Sequence, residues 1–448
     1  VIAFSLISIF MCSAVLGGMR IWHSAKQIRA SETRASCSVT DASTTTEPAK
    51  IWLFLPMLNE YDAAAESIRY FAKIAQAAPR EINVRIIVVT TAKEQISGYK
   101  STNVIARETI VEVNNVAGRD LVFHEHYPNQ VGWKPHQLNW AIRRMIERDC
   151  PDDWKRVLIA VYDVDARPNE MTLTALMAFM SANRPWPEVV QQLSTYFPTS
   201  GRVARFTIWG AMGALWQTRF TLAIERTMIE RSGRSSPRCL LWSIANGFFI
   251  RLDTWKRIGF FTEKFQTEDI ELGYRLSAAG VPIELLNPPL ETGNPCDFIT
   301  DVKQKSRWFS GLFDYLRYPG SCGFGSPLSR LFLAFQGLLR GVLWISSGPV
   351  LAVSILAPFL FGISSVTLLL SISAYLLPVV LMYITMLALA DFASSERTKS
   401  ALVRPSVALA IPFLAPLYAV NYCFGPFLYL AKFVFSRTRY PRERWTNA

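Results

Sequence analysis

Three short groups of residues in this chain have the types and spacing to do chemistry. The first is Asp163-Val164-Asp165, at the end of the apolar run VLIAVYD (157–163). Two carboxylates two positions apart, where a buried strand emerges, can gather a hard divalent cation whose other ligands are phosphate oxygens. The same pair also suits an ordinary turn, in which aspartate bonds its own backbone. The second group is Thr267-Glu268-Asp269, which opens the stretch TEDIELGYRL. Acids in the first turn of a helix complement its dipole, with Thr267 as the cap; alternatively they supply a general base beside an acceptor hydroxyl. The third is Gln304-Lys305-Ser306-Arg307-Trp308. A helix there puts Gln304, Arg307 and Trp308 on one face, at i, i+3 and i+4. Arginine offers a planar fork for phosphate, and indole a flat apolar surface on which a sugar ring can lie. An aromatic belt ahead of a membrane span would look the same.

These groups need a scaffold, and the surrounding pattern supplies one. IWLFLP (51–56) is a short apolar run stopped by proline, and a helical stretch follows from about Asp62 to Ala78. INVRIIVVTTA (82–92) is β-branched and reads as a buried strand, as do VLIAVYD and PEVVQQLSTYF (187–197). Between them, residues 135–148 place Leu138, Ala141, Ile142 and Met145 at helical spacing. Strands alternating with helices predict a mostly parallel α/β sheet. In such sheets ligands bind at the carboxyl ends of the strands, which is where Asp163 and Asp165 fall.

The rest of the chain is of a different kind. The protein has 448 residues, a net charge of +12 and a mean hydropathy of +0.19. Three stretches carry no charge: Val1–Met19, Gly341–Ala390 and Pro405–Ala431. A run of about 20 such residues crosses a bilayer, so the first predicts one span and the second predicts two. The third contains Pro412, Pro416, Gly425 and Pro426 and is basic at both flanks, which leaves a kinked span and a re-entrant hairpin both open. The basic excess also sits at the ends: +3 over residues 1–34, +7 over 330–448, and only +2 over 35–329. Arg20, Lys26, Arg29 and Arg34 follow the first apolar run, whereas a cleaved signal peptide has its charge before it. Basic flanks mark the cytoplasmic side, so the expectation is an anchor with its amino end outside and a cytoplasmic middle domain. That middle domain has no basic stripe, which argues against nucleic-acid binding. Seven scattered cysteines without a CxxC pair suit a reducing compartment. The pair His124 and His126 has the spacing of a minimal metal site, with a turn as the simpler reading.

The order of the motifs resembles the family 2 glycosyltransferases, closest in kind to the membrane-embedded β-glycan synthases that make cellulose, chitin and hyaluronan. LPMLNE (55–60) resembles the family's opening P-x-x-N-E loop, and Lys134-Pro-His-Gln-Leu-Asn139 its K-x-x-x-L-N segment. NGFFIRLDTWKRIGFF (246–261) resembles the glycine loop that precedes T-E-D. The resemblance covers about residues 50–320. It implies a GT-A fold, Rossmann-like with a mostly parallel sheet, that binds a nucleotide sugar, most often a UDP sugar, with Mg²⁺ or Mn²⁺. Carried over by position, Asn59 and Glu60 would lie near the nucleotide and Lys134 near the diphosphate. Asp163 would contact donor or metal, and Asp165 would hold the metal. Asp269 would be the base with Glu268 beside it, Gln304 and Arg307 would hold the diphosphate, Trp308 would stack on the acceptor, and Gly247 would belong to the acceptor loop.

One segment departs from the family. A D-D-x-S sequence usually follows the second strand, and this chain has Val89-Thr90-Thr91-Ala92-Lys93-Glu94 instead. Thr90 or Thr91 is then left to meet the base or ribose. The expected organisation is a transmembrane helix at 1–19, a linker at 20–49, a GT-A domain at 50–320 and an interfacial segment at 321–340. A membrane region at 341–434 and a basic cytoplasmic tail at 435–448 complete it. The expected activity is metal-dependent, inverting sugar transfer to a growing β-linked polysaccharide, at the cytoplasmic face of the plasma membrane. Transfer of a single sugar to a lipid, and a sugar-nucleotide-binding subunit without catalysis, are the alternatives.

Overall fold

Alternation along β1 (Ala49–Pro56) sends Ile51, Leu53 and Leu55 to one face of a sheet and Trp52 and Phe54 to the other. All five are buried. A strand buried on both faces belongs inside a sheet covered by helices. The computed structural model has that architecture; it describes residues 12, 15–30, 49–79, 81–94, 100–183, 185–199, 206–232, 240, 246–392 and 396–435. The other strands are β2 (Ile82–Thr91), β3 (Val122–Tyr127), β4 (Val157–Val161), β5 (Arg167–Pro168), β6 (Val189–Thr199), β7 (Phe248–Arg251) and β8 (Glu284–Pro295). They form one sheet in the order β3-β2-β1-β4-β7-β6-β8-β5. β3, β2, β1 and β4 run parallel, β7 is antiparallel to both its neighbours, and β6 and β8 are again parallel to each other. Helices Ala64–Gln76, Thr102–Ala117 and Thr172–Ala182 cover one face; Lys134–Asp149, Leu252–Ile258 and Glu268–Ala279 cover the other. This is the parallel-rich α/β arrangement that the alternating pattern predicts, and it agrees with the GT-A fold that the resemblance implies.

The strand order reverses at β1, whose neighbours β2 and β4 lead away in opposite directions. A crevice therefore opens beyond the carboxyl ends of β1 and β4. β1 ends at Pro56, and the chain turns through Asn59 in the left-handed region, at φ 59°. β4 ends at Val161, just before Asp163.

Three helical segments among the described residues are long and apolar enough to cross a membrane: Pro327–Ile355, Ser365–Asp391 and Pro405–Phe435. The first begins well before Gly341, where the charge-free run starts, so most of the segment expected at 321–340 is continuous with this helix. Its two charges are answered by carbonyls: Arg330 donates to Pro319 and Cys322, and Arg340 to Leu240. A count of charges along the sequence cannot see such partners.

The third segment is broken at Tyr422–Cys423 into Pro405–Asn421 and Phe424–Phe435. Within it, Pro412 and Pro416 have no N–H for the carbonyls of Ala408 and Pro412, one turn back. Two phenols of the neighbouring helix bond those carbonyls: Tyr383 Oη donates to Ala408 at 2.8 Å and Tyr375 Oη to Pro412 at 2.6 Å. That repair is what a proline-bearing helix in lipid requires.

The expected amino-terminal span lies mostly outside the described residues. The described helix, 15–30, continues past Met19, so the linker expected from residue 20 begins no earlier than 31. Residues 31–48 and the expected tail beyond 435 are also outside the described set. The two halves of the molecule interlock. Helix Ile208–Phe220, within the expected soluble domain, packs Ala211, Met212, Ala214 and Leu215 against span residues such as Met382, Ile411 and Tyr418. Among the described residues, Cys12, Cys150, Cys296, Cys322 and Cys423 form no disulfide.

Candidate active site

The crevice beyond β1 and β4 is lined by charge. Glu60 arrives from the β1 turn, where its N–H donates to Thr102 Oγ1 at 3.0 Å. Asp163 and Asp165 arrive from β4. Asp163 is set by its own N–H, which donates to Asn246 Oδ1 at 3.2 Å. Asp165 Oδ2 accepts the Gly293 N–H of β8 at 3.0 Å. Gly247 is buried at φ +69°, and its N–H donates to Val161 O at 3.0 Å. A Cβ there would come within 2.9 Å of Leu290 Cδ2. The glycine thus lets the start of β7 pack closely against Leu290 of β8 and Gln192 of β6.

Lys134 stands at the start of its helix and donates to Asp163 Oδ1 at 2.6 Å. That helix buries Leu138, Ala141, Ile142 and Met145 against the sheet. Asn139, one turn on, grips the next wall: its Nδ2 donates to Phe261 O at 2.8 Å and its Oδ1 accepts the Phe261 N–H at 3.0 Å. Phe261 leads into Glu268–Ala279. This helix is held from behind by Arg275, which donates to the carbonyls of Ile258, Gly259 and Phe260 and pairs with Glu271 at 2.8 Å. Glu268 and Asp269 are its first two residues, and Asp269 Oδ1 accepts the Ile270 N–H at 2.8 Å. The expected Thr267 side-chain cap is not made. Thr267 Oγ1 instead fills the space that a Cβ on Gly311 would occupy.

The electrostatics follow from this crowding. Burial, then Asp165 and Asp163, push Glu60 up to about 7. Burial also pushes Glu268 up to about 7, against the pull of Lys134. Asp269 is raised by burial, and Asp165 by burial and then by Asp163. Burial alone would lower Lys134, but Asp163, Glu268 and Asp269 hold its ammonium above its usual range. Five carboxylates thus gather around one ammonium, with Arg167 behind Asp165.

No group of three or more His, Cys, Asp or Glu among the described residues has the geometry to hold an ion by itself. One or two carboxylates plus substrate phosphates is the usual arrangement for a hard cation such as Mg²⁺, and Asp163 and Asp165 fit that donor set.

Gln304, Arg307 and Trp308 lie on helix Phe298–Phe313, and none hydrogen-bonds or pairs with the charged cluster among the described residues. They form an adjoining wall. Gln304, Trp308 and Gly311 follow one another at i, i+4 and i+7, and Gly311 meets Thr267 at the foot of the Asp269 helix. Gln304 Oε1 is buried without a partner and the Arg307 guanidinium is exposed.

At the end of β2, Thr90 Oγ1 bridges His124 Nε2 and His126 Nδ1, both at 2.8 Å, and Thr91 Oγ1 accepts the Lys93 N–H at 3.2 Å. Both threonines are buried, and the Thr90 hydroxyl is held between the two histidines. Burial, then Arg107 and His126, push His124 down to about 4, and burial and Arg107 lower His126 as well. Asn246, Gly293 and Arg275 escaped the sequence reading. Asn246 was legible only as a neighbour of Gly247, and the other two carry no local signal.

The family model described as "Glycosyl transferase family group 2" matches residues 158–390, just over half of the chain. No curated protein matches. Among solved structures, the mannosyltransferase PcManGT from Pyrobaculum calidifontis, in complex with GDP-Man and Mn²⁺, is 12% identical. That alignment covers 97% of this chain and 100% of that one, with a TM-score of 0.46, a likeness too loose to bear on donor or metal.

Proposed function

The chain belongs to glycosyl transferase family group 2, and from that premise we propose that it moves a sugar from a UDP-sugar donor to a growing β-linked polysaccharide, with inversion. One observation carries this reading: Glu60, Lys134, Asp163, Asp165, Glu268 and Asp269, from four separate segments, converge at the sheet's switch point. Each has a role there. Asp269 takes the proton of the acceptor hydroxyl as that oxygen attacks the anomeric carbon from the face opposite the leaving diphosphate. One displacement turns an α-linked donor into a β-glycoside. Glu268 shares the pocket and keeps it acidic. Lys134 faces the diphosphate from one wall, and Gln304 and Arg307 face it from the other. Asn59 and Glu60 lie toward the nucleotide, and Gly247 belongs to the loop under the acceptor. Trp308 offers its indole face to the acceptor sugar.

Asp165, with Asp163 between it and Lys134, is the residue to hold Mg²⁺ or Mn²⁺, whose charge when bound offsets that of the leaving diphosphate. The basic residues flanking the spans orient the catalytic domain to the cytoplasm, in the plasma membrane.

A lipid-linked acceptor is the second reading. It is favoured by the helix of Trp308, which packs directly on the third span through Asp301 and Tyr418. The experiment is a screen of labelled nucleotide sugars over membranes containing the protein, reading incorporation and product size together. A ladder of lengthening glycan supports polymer synthesis, a single lipid-soluble product supports the second reading, and no incorporation from any donor defeats both.

A further inference from the structure

The helix that carries Gln304, Arg307 and Trp308 is joined to the membrane half through charges for which the proposed chemistry has no use. Asp301 and Lys305, one turn apart, form an ion pair with both side chains only 1% exposed. The second carboxylate oxygen of Asp301 accepts the Tyr418 hydroxyl at 2.9 Å, and Tyr418 belongs to the third span. The Lys305 ammonium lies 5.8 Å from the centre of the Trp308 ring, 5.6 Å from that of Tyr418 and 5.3 Å from that of Tyr422. Gly425 permits the approach, since a Cβ there would meet Lys305 Cβ and the backbone of Ser306.

A buried ion pair is a poor source of stability, because desolvation offsets its attraction. Its geometry, however, is exacting. Asp301 has one oxygen for Lys305 and one for Tyr418, so a shift of the helix by one residue would break the bond to Tyr418 and carry the ammonium away from the Tyr418 and Tyr422 rings. The ammonium over the indole also favours one ring orientation, since a cation prefers the face of the ring to its edge.

We propose that Asp301, Lys305 and Tyr418 are positioning residues that lock the Gln304–Trp308 turn to the third span, fixing the height and rotation at which Arg307 and Trp308 meet the cleft. The inference rests on the roles given above to Arg307 and Trp308. It makes the span a fixed part of the active site as well as an anchor.

The test uses the full chain in detergent or nanodiscs. Turnover, acceptor KM and melting temperature are compared for the unmodified protein, Lys305→Met, Tyr418→Phe and Arg307→Ala. Lys305→Met is expected to lower kcat about 10- to 100-fold and to raise acceptor KM. Tyr418→Phe removes one hydroxyl and keeps the ion pair and the ring, so about a 3-fold loss in kcat is expected, with a small fall in melting temperature because one buried Asp301 oxygen loses its donor. A merely structural role would lower the melting temperature and leave kcat and KM per folded molecule unchanged, and that result overturns the inference. Should Lys305→Met fail to fold, Tyr418→Phe decides: parental kcat and KM in that variant overturn it. An unmodified protein that turns over no nucleotide sugar removes the reading of the site and this inference with it. Loss of activity in Arg307→Ala alone, with Lys305→Met and Tyr418→Phe at parental rates, removes only the inference.

Discussion

The acidic cleft and the Asp301–Lys305 pair lie on adjoining walls, yet the fold treats their charges in opposite ways. In the cleft five carboxylates share one ammonium, and Glu60 and Glu268 are pushed up to about 7. Below the Trp308 helix one carboxylate meets one ammonium and one phenol, all buried, with each Asp301 oxygen partnered. Burial still lowers Lys305, but its counter-charge is in place. The difference separates two uses of charge. Uncompensated carboxylates at an open crevice are poised to take up a cation, a proton or a phosphate. A compensated pair in a dry interface fixes geometry and takes up nothing.

That contrast can be broken at several points, and the largest effect belongs to the cleft. Asp269→Asn keeps the shape of the side chain and removes the base, so transfer should fall about 10²- to 10⁴-fold in a folded protein. Parental turnover in that variant would move the base elsewhere. Chelation with EDTA should likewise abolish transfer, and Mn²⁺ or Mg²⁺ should restore it; an activity indifferent to EDTA removes the metal role of Asp165. On the compensated side, Lys305→Met should cost about 3–5 kcal/mol of stability, because it strands Asp301 without a counter-charge. Asp301→Asn combined with Lys305→Met should recover most of that loss, which denaturant melts would measure.

Gly311→Ala tests the contact between the walls. The new methyl must displace Thr267 Oγ1, so a loss of about 1–3 kcal/mol should accompany reduced transfer.

The smallest effect is the pH response of the cleft without metal. Glu60 and Glu268 are raised from 4.5 to about 7 in the folded protein. The stability they contribute is therefore fully present below pH 4.5 and is lost as pH rises through about 7. The melting temperature of the metal-free protein should fall across that window. Mn²⁺ should raise it more at about pH 8 than at about pH 5, because binding then displaces fewer protons. A metal shift equal at both pH values would place the ion away from these carboxylates.

Much of the sheet was legible because its signal is local. β1, β2 and β4 are buried on both faces and read as continuous apolar runs, and Leu138, Ala141, Ile142 and Met145 mark their helix by spacing alone. The membrane segments were legible as runs without charge, but not their bounds. Arg330 and Arg340 sit within the first long apolar helix, where Arg330 donates to the Cys322 carbonyl just upstream and Arg340 to that of Leu240, 100 residues away. The prolines of the third run suggested a break without placing it, since the phenols that repair the helix come from another segment. Thr90 shows the same limit. It looked free to meet a nucleotide, and its hydroxyl is held by two histidines from β3, a strand more than thirty residues away along the chain.

The sequence by itself determined the periodicities, the apolar runs and the identities of the chemical groups. These depend on side-chain type and near-neighbour spacing, so an α/β domain with membrane segments and three reactive-looking motifs could be read from it. Only the tertiary structure decided which carboxylates share a crevice, which charges are compensated, and that Gly311 rather than a cap occupies Thr267. Most of those properties belong to residues far apart in the chain, as Asp301 and Tyr418 are. Their electrostatics depend on distance and burial, which no local pattern encodes.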